Sequence, residues 1–251
     1  MQITNSHFAF YFGKLSFRIK AVSPYLTDCL FATIFVFITF VPAKQKLKQQ
    51  LMHEKGTYVR IEVADPTPLG LTGLAMVTLV AASQKLGLTE GLSLLIPWAI
   101  FLGGFAQLIA CVYDFKHNNL FGATAFGLYG LFWISVAASW MIKMGVFGPI
   151  LAGAFDVRQL GVIFLGYLII SIFITIAAFK TNKALIAIMV LIDVLFIGLM
   201  MDSFGMGTYW HTIAAWTELS ISLIGFYAAG ANLLNKMYGR VILPLGKGIW
   251  E

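Results

Sequence analysis

Past residue 65 the chain runs through six apolar stretches separated by short connections, and few folds can accept them. They cover about residues 68–86, 92–113, 121–142, 160–179, 184–201 and 209–234. A helix needs about 20 mostly apolar residues to cross the hydrocarbon of a bilayer. The predicted fold class is therefore an all-α membrane protein, a six-transmembrane-helix bundle. Composition agrees: 59% of residues are hydrophobic, 11% are charged and the mean hydropathy is +0.86, beyond what a soluble core requires. The connections leave little of the chain for a soluble domain. The 24 glycines suit close helix–helix approach in lipid, where small residues let backbones meet.

A net charge of +6 raises nucleic acid as a partner, but no basic patch is interleaved with aromatics. Orientation explains the charge better. Arg60, Lys116, Lys180, Lys183, Lys236, Arg240 and Lys247 fall on one side of the six spans, and Lys85, Lys143 and Arg158 on the other. The positive-inside rule puts the first set, with both ends of the six-span core, in the cytoplasm of a cell (inner or plasma) membrane. Cys29 and Cys111 lack metal-ligand spacing, and no metal or cofactor is expected.

Residues 1–51 are an N-terminal extension of a different character from the six-helix core at 52–251. They hold an apolar run from Leu26 to Val41, broken by Asp28, ended by Pro42 and flanked by lysines and arginines. Two readings fit: a translated leader with Met52 as the physiological start, or an additional N-terminal helix near 26–41. No small-residue cleavage site follows the run.

The first span opens with Asp65-Pro66-Thr67-Pro68-Leu69-Gly70-Leu71. An aspartate suits a helix N-cap, and proline suits the first helical position, where its missing N–H costs nothing. Pro68 is still within the first turn and displaces no i→i−4 bond. Two further blocks stand out. One is Gly103-Gly104-Phe105-Ala106-Gln107, Asp114-Phe115-Lys116, Asn119 to Phe126, Tyr129-Gly130 and Phe132-Trp133. The other is Tyr238-Gly239-Arg240 with Leu243-Pro244-Leu245-Gly246.

These three blocks, in this order across about residues 60–247, resemble the acetate uptake transporter family, of the succinate–acetate permease type. Its opening motif is Asn-Pro-Ala-Pro-Leu-Gly-Leu, so Asp65 and Thr67 depart from it. The resemblance implies passage of acetate or a similar small monocarboxylate, with succinate as a further substrate, and a homo-oligomer, a hexamer with one pathway per protomer. It also implies an apolar constriction from a first-helix Phe, a third-helix Tyr and a fifth-helix Leu. Those positions are Leu74, Tyr129 and Ile192 here, so two differ in type while staying apolar. Such a collar passes a small, partly dehydrated ligand and gates by dewetting.

Polar residues within spans are costly and face a pathway or a partner helix. Gln107 and Asp114 are seven residues apart on one helix face. Gln107 is expected to line a pathway, and Asp114 to be solvated at a helix end beside Lys116. Asn119 is placed to cap the third span, with Thr124 in its second turn. Two helix N-termini, at Asp65 and at Asn119, then lie on one side, and their free N–H groups suit a carboxylate. The expected vestibule comprises Asp65, Pro66, Pro68, Gly70, Leu71, Gln107, Asn119 and Thr124. An ionised Asp65 there repels an anion unless Arg60 or another cation pairs with it. Lysine and arginine are absent from span centres, so helix ends, hydroxyls and amides are expected to hold the substrate.

Asp193, Glu218 and His211 are the candidates for proton coupling, Glu218 and His211 being seven apart on one face. A hydrogen bond between helices is the competing role for each. Proton-coupled and channel-like passage both remain open, as does another small metabolite such as ammonia. A membrane sensor or scaffold would need a soluble partner-binding region. An intramembrane enzyme would need a nucleophile–base set or clustered ligands, and the spans carry neither.

Overall fold

The computed structural model describes residues 9–12, 15–18 and 63–250, in two compact units, Met1–Ile61 and Glu62–Glu251. In the first, strands β1 (Ala9–Phe12) and β2 (Leu15–Arg18) form an antiparallel hairpin, with Ala9 opposite Arg18 and Phe12 opposite Leu15. These strands were not read as a hairpin from the sequence. The expected helix near 26–41, Met52 and Arg60 lie outside the described residues.

The second unit is the helical bundle. All six predicted spans are present as helices long and apolar enough to cross a membrane: α1 (Thr67–Lys85), α2 (Leu95–Lys116), α3 (Leu120–Lys143), α5 (Val157–Ala178), α6 (Lys183–Ser203) and α7 (Tyr209–Tyr238). A short α4 (Pro149–Gly153) sits in the connection between α3 and α5. Three of the helices, α3, α5 and α6, start at side-chain caps. Asn119 accepts from the Gly122 N–H at 3.2 Å, Asp156 from Arg158 at 3.0 Å and Asn182 from Leu185 at 3.0 Å, each satisfying a backbone donor that the helix leaves free. At 30 residues α7 is the longest. It spans about 45 Å at 1.5 Å per residue, more than the roughly 30 Å hydrocarbon layer, and ends at Gly239 in the left-handed region, φ 62°.

Helix α1 packs antiparallel on α7, α2 on α3, and α6 between α5 and α7. Small residues make the α1–α7 seam: a Cβ on Gly225 would lie 3.1 Å from Ala75 Cβ, and Ser222 Oγ donates to the Ala75 carbonyl at 2.8 Å. The middle of α2, Ala99–Ala106, is π-helical. That widened turn brings the Leu102 carbonyl so close to Gly73 of α1 that no side chain fits there. A π turn of this kind shifts the face that the following residues present, and Gln107 is the first α-helical residue after it.

The third sequence block is a strap. Asn235 Oδ1 accepts from the N–H groups of Ile242 and Leu243, at 2.6 and 3.0 Å, and its amide donates to the Leu243 carbonyl at 2.8 Å. The Leu245 carbonyl accepts from Ala184 at the start of α6. Trp250 then packs against Phe179, with ring centroids 4.9 Å apart. The chain end is thereby tied to the α5–α6 turn.

Candidate functional site

The α1 mouth is built by proline and aspartate geometry. Helix α1 begins at Thr67, one residue later than expected, with Pro66 at the cap position. Asp65 stands just before it, and its Oδ1 accepts from the Thr67 N–H at 2.9 Å. Among the described residues, the cation paired with Asp65 is Lys236 near the end of α7, Nζ to Oδ2 3.1 Å. Partial burial pushes the Asp65 carboxyl upward, but the hydrogen bonds from Thr67 and the Lys236 ammonium outweigh it and hold the group below the ordinary carboxylate range.

Inward of this mouth lies a small cavity between α1, α2, α3 and α6. Its walls include Thr67, Leu71, Leu74, Gln107, Asn119, Gly122, Phe126, Tyr129 and Met189. Of the expected vestibule, Leu71, Gln107 and Asn119 line it together. Asp65, Pro66, Pro68, Gly70 and Thr124 are not among its lining residues. Gly70 lies behind the wall, where a Cβ would meet the Phe126 ring at 2.5 Å. Thr124 falls on the other side of α3 from Gly122, Ala125, Phe126 and Tyr129, because two residues turn a helix by about 200°.

Gln107 is fully buried. Its Nε2 donates to the Gly103 carbonyl at 2.7 Å, while its Oε1 accepts from no described group. Asp114 departs from expectation. It is 1% exposed rather than solvated, because Gly122 of α3 lies directly against its carboxylate. Its Oδ1 accepts from Asn119 Nδ2 at 2.9 Å and its Oδ2 has no partner. Lys116 instead lies over the Tyr113 ring, 4.7 Å from the centroid.

A second small cavity is lined by Leu74, Thr78, Tyr129, Phe132, Trp133, Ile192, Leu195, Phe196 and Ile221. Leu74 and Tyr129 belong to the walls of both cavities and so stand at their boundary. Ile192 belongs to the second alone. The Tyr129 hydroxyl is turned towards α5, 3.0 Å from Ser171 Oγ, so the tyrosine meets the boundary with its ring. The Thr78 hydroxyl is spent on the Leu74 carbonyl at 2.8 Å. The second cavity therefore offers almost entirely apolar surface.

The three ionisable candidates are separated. Asp193 Oδ2 accepts from Thr175 of α5 at 2.7 Å, a bond between neighbouring helices. His211 does not meet Glu218; its Nδ1 is 3.2 Å from Asp202 Oδ2 at the end of α6. Glu218 is bound by Lys85, Nζ to Oε2 2.8 Å. Lys85 was counted from the sequence as a loop cation. It is the last residue of α1, and its side chain is only 13% exposed. The missed signal was its spacing, seven residues beyond Thr78 and on the same helix face.

Residues 47–246 match the GPR1/FUN34/yaaH family. The chain is 30% identical over 187 residues to the succinate-acetate/proton symporter SatP of Escherichia coli (strain K12), covering 74% of this chain and 97% of that protein. It is 30% identical over 184 residues to ammonia transport outward protein 2 of Saccharomyces cerevisiae, covering 72% of this chain and 65% of the yeast protein. Among solved structures, the bacterial acetate channel SatP superposes with a TM-score of 0.69 at 28% identity, covering 74% of this chain and all of that one. With six spanning helices and relatives of this kind, the protein is a multi-pass membrane protein and a member of the GPR1/FUN34/yaaH family.

Proposed function

We propose that this protein passes short monocarboxylates, acetate first among them and succinate as a further candidate, across a membrane through a pathway within each protomer. The observation that carries the reading is the pair of cavities that meet at Leu74 and Tyr129. The α3 N-terminus, the Gln107 amide and Asn119 supply polar groups in the first cavity. The apolar boundary strips the ligand of water before it enters the second. No step of bond making or breaking is needed, and transport rather than catalysis is the activity.

The pathway runs from a cytoplasmic mouth at Asp65 and Lys236 to an outer end where α1 finishes, with both ends of the bundle cytoplasmic under the positive-inside rule. Protomers assemble as a homo-oligomer, a hexamer by family resemblance. Apolar side chains such as Val162, Ile169 and Phe173 on α5 are exposed in the single chain, as residues facing lipid or a neighbouring protomer must be.

The test is labelled acetate movement into proteoliposomes at a pH well above the acid's pKa, where unaided crossing of the neutral acid is slight. Uptake above empty vesicles supports the reading, and its absence ends it. Accumulation only with an inward proton gradient identifies symport. Rapid equilibration without accumulation identifies a channel. Uptake of labelled methylammonium in place of acetate would favour an ammonia pathway, a reading supported by the yeast relative and by the apolar second cavity.

A further inference from the structure

Leu74, Thr78 and Lys85 fall on one face of α1, at spacings of four and seven residues. The first two line the second cavity, and Lys85 lies about 10 Å further along the axis at 1.5 Å per residue. From α7, Ile221 lines the same cavity and Glu218 is one turn beyond it towards the same end of the bundle. The two charged groups meet there, Nζ to Oε2 2.8 Å.

We propose that Lys85 recognises the substrate carboxylate at this end of the pathway, and that Glu218 occupies its ammonium as an internal carboxylate which the substrate displaces. The proposal rests on the carboxylate reading above.

The two partners are unequally covered. The Glu218 side chain is 2% exposed and that of Lys85 13%, so an anion arriving from water reaches the ammonium and not the carboxylate behind it. A lysine ammonium has three donors and, as a compact point charge, binds a carboxylate without demanding a fixed bidentate geometry. A short aliphatic monocarboxylate presents the same head group as the Glu218 side chain and competes for the same donors.

A structural tie between helices is the rival explanation, and it explains less. Taking two charges out of water offsets most of what their attraction returns. The α1–α7 seam is already closed by Ser222 on the Ala75 carbonyl and by Gly225 against Ala75. The other described ion pairs near this end, Asp156 with Arg158 and His211 with Asp202, have much more exposed side chains.

The experiment compares wild type, the charge-exchanged K85E/E218K, the single E218Q and the neutral K85Q/E218Q. Each is reconstituted as the full chain and assayed for saturation of labelled acetate uptake from the face on which α1 ends. The pH is fixed above the acid's pKa, and a melting temperature is taken for each protein. Recognition by Lys85 predicts that the exchanged pair keeps its melting temperature but raises the half-saturating acetate concentration by about tenfold or more, because a carboxylate now meets the anion. It predicts that E218Q lowers that concentration by freeing the ammonium, and that K85Q/E218Q raises it.

A structural tie predicts wild-type saturation from the exchanged pair, and that result overturns the proposal. If the exchanged pair fails to fold, K85Q/E218Q decides, because it buries no charge; wild-type saturation there overturns the proposal equally. Absence of wild-type uptake over empty vesicles overturns the carboxylate reading and this inference with it. Saturable wild-type uptake with unchanged variants overturns the Lys85 assignment alone.

Discussion

The Lys236 ammonium near the end of α7 lies 3.1 Å from Asp65 at the start of α1, so the two ends of the bundle sequence close over one mouth. Replacing Asp65 with asparagine keeps an oxygen that can accept from the Thr67 N–H and frees the Lys236 charge. Acetate flux through Asp65→Asn is expected to equal or exceed that of wild type by about threefold at low salt, and the excess should fade as salt rises. A large loss of flux in well-inserted protein would refute this. The stability cost should stay within about 1 kcal/mol, because Lys236 is largely exposed and solvent screens the pair.

The same carboxylate sets a pH dependence. Asp65 titrates below its ordinary value in the folded protein. Its contribution to stability is therefore fully present above the unfolded-state pKa, near 3.8, and is lost as pH falls through the lower folded value. Melting temperatures of wild type and Asp65→Asn should differ by a constant amount from pH 5 to 7, about the neutral range, and converge in more acidic buffer. A gap that widens on acidification would reverse the sign and contradict the pairing with Lys236.

Gly122 carries a packing prediction. A methyl group there would run into the Asp114 carboxylate and sit 2.6 Å from Asn119 Nδ2. Both groups are fixed by their mutual hydrogen bond, so neither yields easily. Gly122→Ala should destabilise the protein by about 1–3 kcal/mol, the range for overpacking a filled interior. Adding Asp114→Ala should recover part of that loss, since the two changes share one space. Detergent-solubilised thermal unfolding measures both. Simple additivity would show that Asp114 does not hold the space.

These contrasts explain how much was legible beforehand. The six spans were readable because each must be apolar along its whole length, a demand made by the bilayer and independent of neighbouring helices. The Asn119 cap was readable because its bonds are local. Asp114 and Lys85 were misjudged because their surroundings come from other helices. Gly122 of α3 buries Asp114, and Glu218 of α7 receives Lys85. The π turn at Ala99–Ala106 was invisible too, since the contact that shows it, the Leu102 carbonyl against Gly73, involves another helix. Leu74 and Tyr129 reached the cavity boundary by family resemblance, because an apolar side chain carries no mark that distinguishes a pathway from a core.

That boundary yields the last prediction. The Tyr129 ring fills it while its hydroxyl is held by Ser171, so ring and hydroxyl can be tested apart. Tyr129→Phe keeps the ring and removes the hydroxyl's bond to Ser171 and its weaker one to the Met189 sulfur. It should cost about 1 kcal/mol of stability and leave acetate flux within about twofold, since the barrier to dewetting is unchanged. Tyr129→Ala removes the ring and opens the two cavities to each other. It should admit larger carboxylates and weaken discrimination between acetate and succinate, measured as the ratio of their uptake rates in proteoliposomes. Leu74→Phe works in the opposite sense, adding bulk on the facing helix and lowering flux of the larger acid more than of acetate. If Tyr129→Ala and Leu74→Phe shift that ratio in the same direction, or not at all, the selective barrier lies elsewhere along the pathway.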